Sequence, residues 1–366
     1  MHQTMNKHAY AILEAAEAWN WPAPSCMDTL GANTDKASEF KIVCRRLLLC
    51  LIAESHRLGG TLLERFWGEI EKSHPQFMEN VQELKHTPYY SYDDTVQTFY
   101  ENVDTDIVDF NPVFELAADL FTHIGLPFMN YDDDRFWRLF SPLSTLSPNT
   151  PRQKSFENRG ENLKILALKR DGTSCPFSEV PYYGLGGVDP TLTYIIPCSI
   201  KSKAETLDYI SVIAGNEAME SVLQYSNTID NVFTVEASVT ASHRRNCWGL
   251  EARENPNDID QVTYYFKTFE TGNMHRAGSV LLRDGDEITF GQGPEGAQYR
   301  NGPHPILCNL RLAVSRALHT SGAAEFISQL MHDAGDFDCR RITIKDHHFH
   351  EVLSAKLLIC GRAQIA

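Results

Sequence analysis

The chain has 366 residues, of which 42% are hydrophobic and 22% are charged, and this composition is ordinary for a globular protein with its own core. Its net charge of −15, from 48 acids against 33 bases, argues against nucleic acid as a partner, because proteins hold a phosphate backbone mainly through Lys and Arg. The sequence contains no run of about 18 apolar residues, so we expect no membrane span and no membrane partner.

The cysteines and the first residues indicate a cytoplasmic protein. The nine cysteines are scattered, and no two of them form a Cys-x-x-Cys pair. This usage indicates buried thiols in a reducing compartment rather than a disulfide frame or a zinc site. The N-terminus also lacks the charged and then apolar pattern of a secretion signal.

The N-terminal part of the chain is predicted to be helical. Residues 8–19 are rich in alanine and place apolar residues three and four positions apart. Residues 39–71 show the same spacing over one or two helices, and Gly59-Gly60 predicts the break between them. A further helix is predicted over residues 111–124, which begin with an asparagine cap and a proline in the first turn.

An acidic, aromatic-rich segment extends over residues 91–137, with eleven acids and one base. It would repel a phosphate backbone that lay beside it. The aspartates at 132–134 suggest a magnesium-diphosphate site, but such a site needs a third acid after two spacer residues. The sequence has Phe136 or Trp137 at that place, so we interpret the triplet as a solvated turn.

A change in composition predicts the domain boundary. Residues 141–160 are polar and contain three prolines, which is typical of a linker. We therefore expect a mainly helical acidic region over residues 1–145 and an α+β domain over residues 160–366.

Four sequence patterns mark the centre of the chain. The first is Leu168-Lys-Arg-Asp-Gly-Thr-Ser-Cys175, at the end of a predicted helix, and the second is Thr193-Tyr-Ile-Ile-Pro197. In the third, Asn231 is followed nine residues later by Thr240. The fourth is Trp248-Gly-Leu-Glu251.

These patterns resemble the HNH-nuclease-like module common in fungal proteins. Its pattern is roughly Leu-x-Arg-Asp-x-x-x-Cys, then Ala-His-Ile-Ile-Pro, then Asn with a His nine residues later, and then Trp-Ala-Leu-Glu. A Ser-Gly-Ala-Ala-Glu match at residues 321–325 extends the resemblance, which covers about residues 160–330 in three pieces. The resemblance implies an α+β fold, in which a helical N-terminal region packs on a ββα module with added hairpins and C-terminal helices.

Both catalytic histidine positions of that module are substituted here. The resemblance implies that a His on the first strand deprotonates water and that a His on the helix ligates one divalent metal. Tyr194 stands at the first position and Thr240 at the second. A tyrosine is a poor base at pH 7, since its unperturbed pKa is about 10. A threonine is a poor sole ligand, so we expect a degenerate module without a metal.

The first hypothesis is a cofactor-free cyclase or isomerase, of pericyclic or Diels–Alder type, in fungal secondary metabolism. Proteins with decayed nuclease motifs can be recruited into natural-product pathways. Such a catalyst needs a shaped apolar pocket, with donors that polarise a carbonyl group, and we expect a small apolar substrate. The candidate residues are the catalytic donors Tyr194, Thr240 and His243 and the substrate-binding residues Asn231, Arg244 and Trp248.

Two alternatives stay open. The second hypothesis is a non-catalytic interaction protein, with the acidic N-terminal half as its binding surface. The third is a metal-dependent endonuclease with shifted ligands. His243 lies three residues after Thr240, on almost the same helix face, and a site could combine it with Asn231 and Glu236. A homodimer is compatible with each hypothesis.

The sequence from residue 279 onward predicts a hairpin, a helix and loops, and no binding site. A hairpin is expected over residues 279–290, with its turn at Asp284-Gly285, and an amphipathic helix over residues 307–320. The glycine pattern over residues 291–296 lacks the helix start that would hold a diphosphate. We interpret the histidines within residues 347–350 as a solvated loop rather than as metal ligands.

Overall fold

The computed structural model describes residues 2–19, 34–129, 151–184, 187–255, 258–269, 280–299 and 301–335. Helices hold most of these residues, and two small antiparallel sheets lie in the second half of the chain. The α+β fold class with a helical N-terminal region is therefore confirmed. Within these stretches, none of the helices is both long enough and apolar enough to cross a bilayer.

The first six helices follow the apolar spacing of the sequence. The break at Gly59-Gly60 is confirmed: Gly59 adopts a φ of 77°, and a Cβ atom at Gly60 would collide with the carbonyl oxygen of Ile213. The helices are α1 His2–Ala15, α2 Thr34–Leu58, α3 Leu62–Ser73, α4 Phe77–His86, α5 Tyr92–Phe99 and α6 Asn111–Leu120. The last of them continues through one π-helical turn, Phe121–Gly125, into α7, Leu126–Met129.

The second half of the chain carries the strands and the remaining described helices. The helices are α8 Pro151–Asp171, α9 Ala204–Tyr225, α10 Ala237–Arg244, α11 Pro305–Ser321 and α12 Ala323–Gly335. The strands are β1 Thr191–Tyr194, β2 Val232–Val235, β3 Trp248–Asn255, β4 Asp258–Thr268 and β5 Glu287–Ile288.

The two sheets are separate. In the first, β1 pairs with β2 in antiparallel register, with Thr193 opposite Phe233 and Tyr194 opposite Val232. In the second, the order is β3-β4-β5. The chain between β1 and β2, residues 195–231, contains α9, so the first sheet is a hairpin with a long insertion in place of a tight turn.

Two predicted elements differ in the structure. The predicted hairpin over residues 279–290 is wrong, because residues 280–283 form no strand and β5 pairs with β4 instead. The Asp284-Gly285 turn docks directly on β4: the Gly285 amide donates to the Phe266 carbonyl, and the Phe266 amide donates to the Asp286 carbonyl, each at 2.8 Å.

The second half of the predicted linker is also wrong. Residues 151–160 form the first half of α8, since a proline in the first turn of a helix loses no hydrogen bond. The first half of the predicted linker, residues 141–150, lies outside the described residues. The aspartates at 132–134 and the histidines within residues 347–350 lie outside them too.

One hydrophobic core joins the N-terminal helices to the strand-containing half. Its buried residues extend from Met5 in α1 to Ile327 in α12. α11 occupies the centre, since it packs against both α2 and β3. The contact with β3 is close: a Cβ atom at Gly249 would lie 2.9 Å from a methyl carbon of Leu312. The two predicted regions therefore share apolar packing, with α11 as the common element.

Candidate functional site

β1, β2 and α10 form a ββα unit within residues 168–251, which carry the four sequence patterns. α8 packs against β1 and β2, and α10 also contacts β1. Because successive side chains of a strand point to opposite faces, the hairpin presents one set of residues to each helix. Candidate residues can contact each other only if their side chains lie on the same face of the hairpin.

The first sequence pattern ties α8 to β2 through a buried ion pair. Arg170 and Asp171 are both buried, and the guanidinium donates from Nε and Nη2 to the two carboxylate oxygens at 2.7 Å each. The same guanidinium donates to the carbonyl oxygens of Ile229 at 2.9 Å and Val232 at 2.8 Å. These contacts make the Arg-Asp pair a structural connection between α8 and the start of β2.

Asn231 holds the insertion closed at the base of the hairpin. It is fully buried, and its Oδ1 accepts a hydrogen bond from the Ile196 amide at 2.8 Å. Its Nδ2 donates to the carbonyl oxygens of Ile196 at 2.7 Å and Ser226 at 2.9 Å. The three bonds connect the backbone of Ile196, just after β1, to that of Ser226, just after α9.

Tyr194 and Thr240, the residues at the two catalytic positions that the resemblance implies, lie on different sides of the hairpin. Thr193 faces α10, and its hydroxyl lies 2.7 Å from the hydroxyl of Thr240, with both residues buried. Tyr194, the next residue of β1, packs instead in a small cluster with Leu163 and Val232, on the side of α8. The structure therefore brings Thr240 together with Thr193, and it places Tyr194 on the opposite side.

His243 and Trp248 belong to an aromatic part of the core. The His243 ring contacts Phe233 edge-on at 5.6 Å and lies 4.7 Å from the Trp248 ring. Trp248 is fully buried and donates from Nε1 to the Ser242 hydroxyl at 2.8 Å. Phe177, 4.7 Å from Trp248, continues the cluster. Both candidates are thus packed against aromatic side chains.

Burial and two arginines keep His243 neutral. Desolvation lowers the pKa of His243 well below its usual value, and the charges of Arg311 and Arg244 lower it further. Arg311 is itself buried and donates to the carbonyl oxygen of His243 at 3.4 Å and to that of Phe128 at 2.7 Å. Arg244 is half-buried at the end of α10. The arrangement favours a neutral imidazole in the folded protein.

The residues between the hairpin and α10 do not fit the divalent metal that the resemblance implies. The groups that meet there are the neutral hydroxyls of Thr193 and Thr240. The Glu236 carboxylate accepts a hydrogen bond from Ser238 at 2.5 Å, and the Asn231 amide bonds to the backbone. Over the described stretches, no three His, Cys, Asp or Glu side chains are grouped as metal ligands. Metal-dependent hydrolysis at this module therefore has no ligand set among the described side chains.

A charged cleft lies elsewhere, between the β3-β4 sheet and the helices α2 and α11. Its volume is about 570 Å³, within the range of about 300–1,000 Å³ of small-molecule sites. Its apolar lining residues are Leu58, Ala252, Phe269, Leu312 and Ala313. Its charged lining residues are the cations Arg57, Arg253, Lys267 and Arg316 and the acids Glu54, Glu251 and Asp284.

On the helical wall of the cleft, one buried carboxylate binds two arginines. The Glu54 side chain is 7% exposed, and its oxygens accept from Arg316 Nη1 at 2.9 and 3.1 Å. Arg57 Nη1 donates to the same carboxylate at 2.9 Å. The carboxylate fixes both guanidinium groups at the cleft and neutralises one of their two charges.

On the sheet wall, Glu251 is arranged in the same way. Arg253 donates to both of its oxygens at 3.2 and 3.0 Å, and Lys267 lies 3.3 Å from one of them. Burial alone would raise the pKa of Glu251, but the hydrogen bonds and charges of Arg253 and Lys267 outweigh it, so the pKa is lowered. Asn309 of α11 brackets the strand beside it through two 2.9 Å bonds to the backbone of Ala252.

No sequence pattern indicated this cleft. Glu54 and Arg316 are 262 residues apart, so no local spacing relates them. The sequence did place an acid on a buried helix face. The spacing of four and then three residues puts Glu54 on the same face as Leu47 and Leu51, which are both fully buried. A carboxylate on such a stripe needs a cationic partner from another element.

Comparisons of the chain with family models, with curated proteins and with solved structures gave no match. The resemblance to the HNH-nuclease-like module therefore stays a prediction from the sequence patterns.

Proposed function

We propose that the chain is a metal-independent enzyme of the cyclase or isomerase class, in which the ββα unit is a scaffold and the charged cleft binds the substrate. One observation carries the proposal: the module and the cleft are separate. Thr193 and Thr240 bond to each other inside the core, whereas the cleft is lined by partly exposed cations. The site of the reaction is then the cleft rather than the positions of the nuclease histidines.

The cleft offers the chemistry that a cofactor-free rearrangement needs. A guanidinium held in place by a carboxylate can stabilise negative charge that develops on a carbonyl oxygen. Arg316 is held in this way by Glu54. Leu58 and Phe269 supply apolar surface beside it. These residues favour a substrate with an apolar body and a polar end over a wholly apolar one.

Incubation of EDTA-treated protein with a panel of polyketide and terpenoid precursors tests the proposal. A pericyclic reaction or an isomerisation leaves the mass unchanged, so we expect a product of equal mass and new retention time in liquid chromatography–mass spectrometry. Thr268→Trp should block the cleft and abolish the product. Thr263→Trp, in the same strand but outside the cleft, should retain it. Activity that EDTA removes, or that survives Thr268→Trp, would overturn the proposal.

The nuclease alternative is tested with the same preparation. Plasmid nicking is followed after addition of Mg²⁺, Mn²⁺, Ni²⁺ or Zn²⁺ to the stripped protein, together with the thermal midpoint. A ligand that binds only the folded state raises that midpoint. We expect no nicking of the plasmid. We also expect no metal-induced rise of the thermal midpoint that depends on His243. Nicking that His243→Ala abolishes would restore the endonuclease with shifted ligands.

A second candidate, the non-catalytic interaction protein, is favoured by exposed apolar side chains in the acidic segment and beside it. Met78, Tyr90 and Ile107 are 59%, 72% and 65% exposed. Sedimentation of the protein at increasing concentration tests whether they join two copies in a homodimer. The candidate fails if the protein stays monomeric, or if Tyr90→Ser and Ile107→Ser leave a dimer intact.

A further inference from the structure

We infer that the charged cleft binds an oxyanion of its ligand, a carboxylate or a phosphate, between Arg57 and Arg316 on the helical wall and Lys267 on the sheet wall. The inference rests on the proposed function, because it names the substrate class of the same cleft. The cations bind the polar end of the ligand, and the apolar lining residues contact its body.

The charge balance of the cleft is opposite to that of the chain. Four cations and three carboxylates line it, although the whole protein carries a net charge of −15. Each wall holds one carboxylate between two cations, so each wall keeps one positive charge that no carboxylate of its group neutralises. A cleft of this kind attracts an anion that an otherwise acidic surface repels.

Asp284, the third carboxylate of the cleft, lowers the excess of the two walls from two positive charges to one. It is exposed, and its Oδ1 accepts a hydrogen bond from the backbone amide of Thr268 at 3.0 Å. Its carboxylate is thus attached to the end of β4. The two carboxylates between the cations are Glu54 and Glu251.

The cations differ in how many donors they still offer. Arg253 commits Nε and Nη2 to Glu251 and lies 4.4 Å from the centre of the Tyr265 ring. Arg316 uses only Nη1 for Glu54, and its Nε and Nη2 bond to no other group among the described residues. Lys267 has three donors and one 3.3 Å contact to Glu251. Arg316 and Lys267, which both line the cleft, therefore keep donors that a ligand could use.

The remaining donors match an oxyanion. A guanidinium presents planar pairs of N–H groups that fit the oxygens of a carboxylate or phosphate, and such charge-assisted bonds are the strong ones. Arg316 is pre-oriented because Glu54 is buried beneath it, so binding an anion costs little side-chain ordering. An ammonium on the facing wall completes the contacts as a point charge.

Isothermal titration and thermal-shift measurements at constant ionic strength test the inference. The probes are inorganic phosphate, succinate and acetate, with uncharged succinamide as the neutral counterpart of succinate. We expect the oxyanions to bind and succinamide not to bind. The order of affinity of phosphate and the two carboxylates then decides which oxyanion the cleft prefers.

The test uses the variants Arg57→Gln and Lys267→Gln, which we expect to fold. In each variant the carboxylate keeps one cationic partner, since Glu54 still binds Arg316 and Glu251 still binds Arg253. Each should weaken oxyanion binding about tenfold, the size of one charge-assisted hydrogen bond. Lys72→Gln is the matched control, since Lys72 forms a similar pair with Glu69 outside the cleft. It should bind with unchanged affinity.

The outcomes separate the inference from the proposed function. Equal weakening by Lys72→Gln, or no binding of any oxyanion, would overturn the inference. In the second case, if the precursor panel still gives a product that Thr268→Trp abolishes, the proposed function stands without an anionic substrate. Oxyanion binding that needs Arg57 and Lys267, without any product from the panel, would support the inference and count against the enzyme.

Discussion

The hydroxyl groups of Thr193 and Thr240 lie 2.7 Å apart and connect β1 to α10. Both residues are buried, and Thr240 also donates toward the carbonyl oxygen of Glu236 at 3.3 Å. Thr240 stands where the resemblance implies a metal ligand. The strand and the helix, which a bound metal would join in a nuclease, are here joined by a hydrogen bond between two neutral groups.

The hydrogen bond between Thr193 and Thr240 predicts that the effects of substituting the two residues on the free energy of unfolding are not additive. Thr240→Val leaves the Thr193 hydroxyl without this bond inside the core, so we expect a loss of about 1–2 kcal/mol in the free energy of unfolding. Thr193→Val should cost a similar amount. The double variant should cost clearly less than the two together, as urea denaturation will measure. Strict additivity would show that the two hydroxyls do not interact.

Substitution of Asn231 is predicted to lower the free energy of unfolding more than either threonine substitution does. Asn231→Ala removes three hydrogen bonds to the backbone of Ile196 and Ser226, and it leaves the freed groups buried. We expect a loss of about 3 kcal/mol in the free energy of unfolding. Asn309→Ala removes two bonds at a half-buried site and should cost about 1 kcal/mol. Equal costs for the two variants would contradict a main role of Asn231 in closing the hairpin.

His243 predicts a pH dependence of stability. Burial lowers its pKa in the folded state below the unfolded value of about 6.5, so the unfolded chain binds a proton that the folded protein excludes. The stabilisation is therefore complete above pH 6.5 and is lost as the pH falls below it. The expected slope approaches about 1.4 kcal/mol per pH unit for one proton.

His243→Phe separates this contribution from those of other histidines. The variant keeps an aromatic ring beside Phe233 and Trp248 but has no proton to bind. Its unfolding free energy, measured by urea titration between pH 7.5 and pH 5, should fall less steeply than that of the wild type. His8, whose pKa burial also lowers, should account for part of the slope that remains. Identical slopes would mean that His243 does not titrate in this way.

Gly60, in the turn between α2 and α3, and Gly68, inside α3, are predicted to respond to substitution in opposite ways. Gly60→Ala places a Cβ atom against the Ile213 carbonyl of α9, so we expect a loss of 3 kcal/mol or more, about the upper end for one substitution. Gly68 lies inside α3 with nothing near its Cβ position, so Gly68→Ala should stabilise by about 0.5–1 kcal/mol. Thermal unfolding of the two variants should move in opposite directions.

Local features of the fold could be predicted from the sequence, and contacts between distant elements could not. Apolar spacing gave the α2–α3 pair and α11, because a buried helix face repeats within a few residues. The face of Tyr194 could not be assigned from the sequence. Residues 191–194 alternate polar and apolar side chains, but the one fully buried residue of the strand is the polar Thr193, which faces α10. The cleft depends on pairs such as Glu54 with Arg316, which only the packing of α11 on α2 brings together.

The long insertion between β1 and β2 has a consequence for how the chain folds. Tyr194 and Val232 are neighbours in the sheet, but the whole of α9 lies between them in the sequence. Closing so long a loop costs entropy before the strands can pair, which slows folding. α9 docks on the α2–α3 turn, where the Thr61 amide donates to the Val212 carbonyl at 2.7 Å. Early docking of α9 would shorten the effective loop, so we expect the rate of hairpin formation to depend on a turn far outside the ββα unit.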